Sequence, residues 1–138
     1  MGFLNKLFSK EKDFPELETS SPIAQRLDNF RDDLEHLARD VSDPIEVVPA
    51  EDTAYVFIGK PPKKFGMAWI RDGKIHNFKT MAEEKGIPEM KLQLMSEKLR
   101  KAYETNDTAN RYSTTIADHK VLVTRSESLE KDLRKIIQ

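Results

Sequence analysis

GMAWIRDGKIHNF, residues 66–78, carries the plainest conformational instruction in the chain. Two runs of strand-forming residues flank Asp72 and Gly73, and both turn residues tolerate positive φ, so the stretch reads as a β-hairpin. A two-residue turn sets the register: Ile70 faces Ile75, Trp69 faces His76 and Met67 faces Phe78. Met67, Trp69, His76 and Phe78 then share one side of the sheet, and that largely apolar side requires a cover.

Working outward, Ile45 to Val48 and Thr53 to Ile58 are β-branched or aromatic runs separated by a turn from Pro49 to Asp52, which predicts strands. Ahead of them, Ser20 or Ser21 followed by Pro22 gives a helix cap and a first-turn proline. Ile23, Leu27, Phe30, Leu34, Leu37, Ala38 and Val41 then recur at helical spacing until Asp43 and Pro44. Beyond the hairpin, Thr80 with Glu83 predicts a capping box for a short helical turn ending at Gly86, and Pro88 starts a longer helix with Met90, Leu94, Met95, Leu99, Ala102 and Tyr103 as its apolar stripe. A second hairpin is predicted about Asp118, from Arg111 to Ala117 and His119 to Arg125, with Tyr112, Ile116, Val121 and Val123 on a common side. Leu129, Leu133, Ile136 and Ile137 mark a last helix from near Ser126.

These elements predict an α+β fold in the order α-β-β-β-α-β-β-α: an antiparallel sheet of about five strands, built from two hairpins plus a leading strand, with helices packed on it. The order is similar to that of the small dimeric secretion chaperones. That resemblance, which rests on element order alone, implies a peptide-binding role as one alternative.

With 138 residues the chain supports one core. Hydrophobic residues make up 38% and charged ones 34%, which fits a folded domain with a charged surface. Basic and acidic residues number 23 and 24, so a net charge of -1 gives no general attraction to polyanions and makes nucleic acid an unlikely partner class. The absence of cysteine excludes disulfides, thiolate catalysis and cysteine-ligated metal centres. No apolar run has the length of a membrane span, and Lys6 interrupts the N-terminal apolar stretch before it resembles a secretory signal; a cytoplasmic location is expected.

The N-terminus carries the most unusual feature. Phe3, Leu4, Leu7 and Phe8 fall on one side of a two-turn helix, and Ser9 to Ser21 is rich in Lys, Glu, Ser and Pro. The expected organisation is an amphipathic lead peptide over residues 1–9, a flexible charged tether over 10–20 and a single domain over 21–138. Such a peptide can enter a groove on a partner protein, or lie on a membrane surface through residues 2–10 with help from Lys6, Lys10 and Lys12.

Two further clusters invite a reading. Lys60, Lys63 and Lys64 surround two prolines in the loop before the first hairpin, and Arg71, Lys74 and Lys79 lie on or beside it, which makes the region a candidate anion site; Trp69 and His76 are candidate ligand or sheet-face contacts. Asp32, His36 and Asp40 recur at i, i+4 and i+8 along one helix, a spacing that describes a charged solvated face rather than a metal site. No phosphate loop, dinucleotide fingerprint, zinc-ligand helix or nucleophile elbow is present, and no cofactor or metal is expected. The chain therefore reads as a non-catalytic binding module, an accessory or adaptor subunit anchored by its lead peptide, with homodimerisation as a further expectation. The alternatives are a small-ligand or anion-binding domain using Lys60 to Lys79, and the chaperone-like peptide binder.

Overall fold

The structure, a computed structural model, describes residues 14–59, 65–106 and 110–137. Within them the chain forms α1 (Pro22–Asp28), α2 (Arg31–Asp40), β1 (Ile45–Pro49), β2 (Thr53–Gly59), β3 (Phe65–Arg71) and β4 (Lys74–Asn77). These are followed by α3 (Phe78–Lys85), α4 (Glu89–Thr105), β5 (Asn110–Ile116), β6 (His119–Arg125) and α5 (Glu127–Ile137). The fold is α+β, as the element pattern requires.

Two features of the sheet differ from expectation. It has six strands, because both runs ahead of the first hairpin pair with each other, Val47 opposite Val56. It is also mixed: in the order β4-β3-β2-β1-β6-β5, β1 and β6 run parallel, with Ile45 beside Val121 and Val47 beside Val123. The β1–β4 meander and the β5–β6 hairpin are each antiparallel within themselves. They meet side by side, and the long connection through α3 and α4 supplies the crossover that a parallel pair needs.

Both hairpin turns place two residues at positive φ: Asp72 and Gly73 at 54° and 70°, Ala117 and Asp118 at 51° and 64°. This geometry matches the strand twist and fixes register. Ile70 faces Ile75 and Trp69 faces His76, as the two-residue turn predicts. Met67 does not face Phe78, because β4 ends at Asn77, which caps α3. The Asn77 side chain accepts from the Thr80 N–H (2.9 Å) and the Thr80 hydroxyl accepts from the Asn77 N–H (3.0 Å). The capping box thus joins Asn77 to Thr80, not Thr80 to Glu83: asparagine satisfies the helix start one turn earlier.

The first helix also differs, breaking in two at Asn29 and Phe30. Short i to i+3 bonds, Asn29 N–H to Arg26 O (3.2 Å) and Phe30 N–H to Leu27 O (3.0 Å), tighten the end of α1. Phe30 leaves helical geometry at φ -116° and ψ 10°, yet stays buried beside Ile23, Leu27, Leu34 and Ala38. The bend keeps both apolar stripes on the sheet.

Helices cover both faces. On the first, α1 and α2 close over Ile45, Val47, Ala54, Val56, Ile70, Val121 and Val123. On the second, Met81 of α3, Leu99 and Ala102 of α4, and Leu129, Leu133 and Ile137 of α5 close over Val48, Tyr55, Phe57, Met67 and Trp69.

The two sheet edges are treated differently. At β5, Ser113 N–H donates to Pro15 O and Leu17 N–H donates to Ser113 O, both 2.9 Å, while Leu17 packs against the first core. Residues 15 to 17, which composition assigns to the tether, therefore lie along this edge and cover its free backbone groups. The other edge, β4, is only four residues long and is protected by shortness and by Lys74.

Candidate functional site

Helix α4 is where the structure departs most from a sealed domain. Its start is set by a left-handed turn: Gly86, at φ 64°, and Ile87 both donate N–H bonds to Ala82 O, and Pro88 then caps the new helix. The C-terminal half buries Leu99 and Ala102. In the N-terminal half Leu92 and Met95 are half-buried, Met95 against the second core, while Met90 and Leu94 are 75% and 54% exposed. Four residues apart, they form one apolar patch a helical turn long. Sequence spacing placed both in the helix's apolar stripe; the structure corrects this, because at about 100° per residue they lie on the side opposite Leu92, Met95, Leu99 and Ala102, which face the domain.

Grooves flank the helix on both sides. Between α3, α4 and α5 lies an open groove of about 470 Å³. Met81, Ile87, Met95, Ile136 and Ile137 make its floor, and Lys85, Lys91, Lys98 and Lys135 make its rim. Among the described residues no carboxylate lines it, and none of the four lysines forms an ion pair. On the other flank, Phe65, Phe78, Leu92 and Leu99 line a groove of about 450 Å³, where Glu89 and Glu97 accompany Arg100.

The candidate anion site is only partly assembled. Trp69, Arg71 and His76 converge on a third groove of about 500 Å³, where Asp72 and Glu84 offset the charge of Arg71 and Lys85. Arg71 already donates from Nε to the Thr53 hydroxyl at 2.8 Å. Lys74 sits across from Arg71 in the hairpin, and Lys79 is exposed on α3; neither lines this groove. Trp69 is only 5% exposed, stacked on His76 at 6.0 Å and edge-on to Phe78 at 5.8 Å, so it is a core residue with one margin on a groove. Lys60, Lys63 and Lys64 lie outside the described residues, as do Phe3, Leu4, Leu7 and Phe8 of the lead peptide.

A buried polar cluster ties the other end of α4 to the sheet. Glu46 of β1, 5% exposed, accepts at Oε1 from the Tyr103 hydroxyl (2.8 Å) and at Oε2 from Arg111 Nε (3.0 Å) and the Thr124 hydroxyl. The Arg111 guanidinium lies 5.6 Å from the Tyr103 ring centre, and that ring packs on Phe57 and Phe65 at 4.9 and 5.2 Å. Burial pushes the Tyr103 hydroxyl well above its ordinary pKa, the negative Glu46 pushes it further, and Arg111 opposes both. Tyr103 therefore stays a donor. With both carboxylate oxygens engaged, Glu46 clamps α4, β1, β5 and β6 together.

Asp32, His36 and Asp40 do not gather into a ligand set, and no group of three metal-ligating side chains occurs among the described residues. No helix among them is long and apolar enough to cross a membrane. Sequence reasoning missed two features. Glu46 had a signal, a lone carboxylate inside the apolar run Ile45 to Val48. For the lysine rim, the seven-residue spacing of Lys91 and Lys98 was legible, but their meeting with Lys85 and Lys135 depends on how three helices pack. Comparison of the chain with protein-family models, curated proteins and solved structures finds no match.

Proposed function

We propose that the protein is a non-catalytic binding module, an accessory or adaptor subunit that docks to a larger assembly through the exposed Met90–Leu94 side of α4. Its N-terminal amphipathic peptide is a second anchor, and its place is the cytoplasm or the periphery of a membrane. The observation that carries this reading is the exposure of Met90 and Leu94 beside an apolar-floored groove. A domain with both sheet faces covered by its own helices gains nothing for its own stability from such a patch. Native mass spectrometry of the full chain in lysate of its source cells, after mild crosslinking, tests the proposal. Wild-type protein is expected in a complex of defined mass, and Met90→Gln with Leu94→Gln is expected to release it. Replacing Phe3, Leu4, Leu7 and Phe8 with serine is expected to weaken the complex. A wild-type chain found only as monomer would end this reading.

A second reading, a small-anion site beside the first hairpin, is favoured by the convergence of Trp69, Arg71 and His76 on one groove. Tryptophan fluorescence titrated with inorganic phosphate and nucleotides reports on it directly, and flat traces at low salt count against it.

A further inference from the structure

We infer that the groove between α3, α4 and α5 receives an acidic amphipathic helix from a partner protein, its apolar side on Met95 and Ile136 and its carboxylates against Lys85, Lys91, Lys98 and Lys135. This rests on the binding-module reading above and adds the chemistry of the partner.

The charge pattern is the first argument. The whole chain is nearly neutral at -1, so acidic residues for local pairing are plentiful, yet four lysines gather round one groove without a carboxylate in its described lining. Like charges held near one another disfavour the isolated state, more so where apolar surface lowers the local dielectric. An incoming set of carboxylates relieves that repulsion and steers the encounter.

Shape and length argue for a helix. The groove is open along one side, whereas small-molecule sites enclose most of their ligand. Along α4 the lining runs from Lys91 to Lys98, about two helical turns, and Ile87 extends it ahead of the helix. Lys91 and Lys98 are seven residues apart, about 10.5 Å along the axis, which matches acidic residues at i and i+7 of a packed helix. Met90 and Leu94 extend the apolar surface outward from the same helix. The protein's own lead peptide, residues 1–9, carries Lys6 and no carboxylate, so it lacks the charge this rim calls for.

The test uses the full chain and fluorescein-labelled synthetic helices of about 18 residues, each with leucines at i, i+3, i+4 and i+7 and flanked by either glutamates or lysines. Fluorescence anisotropy is expected to show the glutamate peptide binding at least about tenfold more tightly than the lysine peptide. Binding is expected to weaken as salt rises and to fall about tenfold or more in Lys91→Glu with Lys98→Glu, whose thermal melts should match wild type. Equal binding of the two peptides, or no effect of the lysine substitutions, overturns the inference. So does binding to phosphatidylserine vesicles, or self-association, that depends on these lysines while the glutamate peptide stays unbound. If Met90→Gln with Leu94→Gln releases the native complex while Lys91→Glu with Lys98→Glu does not, the inference fails and the docking reading stands; a wild-type chain found only as monomer removes the docking reading itself.

Discussion

On one side of the sheet, Ile23, Leu27, Phe30 and Leu34 press onto Ile45, Val47, Val56 and Val123, side chains without a single polar atom. On the other, the cover includes Tyr55, Met67, Trp69 and Met81, a buried Glu46–Arg111 pair sits under the end of α4, and the rest of that helix is flanked by open grooves. The first face does one thing, which is to hold the fold. The second is divided around α4: Leu92, Met95, Leu99 and Ala102 face the domain and Tyr103 fastens the helix's end, while Met90 and Leu94 face solvent. One layer is thus sealed by its own helices, whereas the other leaves one side of a helix open to solvent.

The largest effect should come from breaking the polar clamp. Arg111→Met removes the cation from a buried carboxylate, and a loss of about 3–5 kcal/mol is expected, read as a shift in the midpoint of urea unfolding. Adding Glu46→Met should recover much of it, since two packed apolar side chains do not carry the cost of a buried lone charge. A single-variant loss below about 1 kcal/mol would show that the clamp is better hydrated than its burial implies.

On the aliphatic face, Leu27→Ala is expected to cost about 2–4 kcal/mol by the same measurement, because Leu27 is 1% exposed and packed helices leave the cavity little room to collapse. Denaturant slopes should stay unchanged, as both states bury the same architecture. A loss smaller than about 1 kcal/mol would mean that α1 rearranges over the sheet and that this face is less rigid than its partner.

Tyr55 sharpens the contrast from the other side. Its hydroxyl is buried and has no hydrogen-bonding partner among the described residues, a polar atom of a kind the aliphatic face does not carry. Tyr55→Phe should leave stability unchanged or raise it by up to about 1 kcal/mol. A clear loss in thermal melting would show that the hydroxyl is satisfied in solution and that this layer holds more polar structure than the packing reveals.

How far the sequence could show this division depends on the range of the interactions involved. The turn at Asp72 and Gly73 and the pairs beside it were legible because their determinants are adjacent, whereas the end of β4 at Asn77 was not; the hairpin about Asp118 was legible from alternation on both flanks, though Ala117, read as strand, lies in its turn. The parallel contact of β1 with β6 joins residues more than seventy positions apart and leaves no local mark. Helix periodicity identified α4, but its apolar residues span more than one face, and only packing shows that Leu92, Met95 and Leu99 face the domain while Met90 and Leu94 do not. Likewise the lysine rim has two members on α4 and two on other helices, and only packing unites them.

The smallest expected effect on stability is also the one that separates the two roles of α4. Met90→Gln with Leu94→Gln exchanges exposed apolar side chains for one of similar helix propensity, so unfolding free energy should change by no more than about 0.5 kcal/mol. Arg111→Met, on β5 against the far end of that helix, should do the reverse: it weakens the fold while leaving the exposed turn in place for docking under conditions where the variant remains folded. If the glutamine pair instead lowers stability by more than about 1 kcal/mol, the Met90–Leu94 side of α4 packs against the domain in solution, the patch is not free for a partner, and the contrast between the two sides of this helix does not hold.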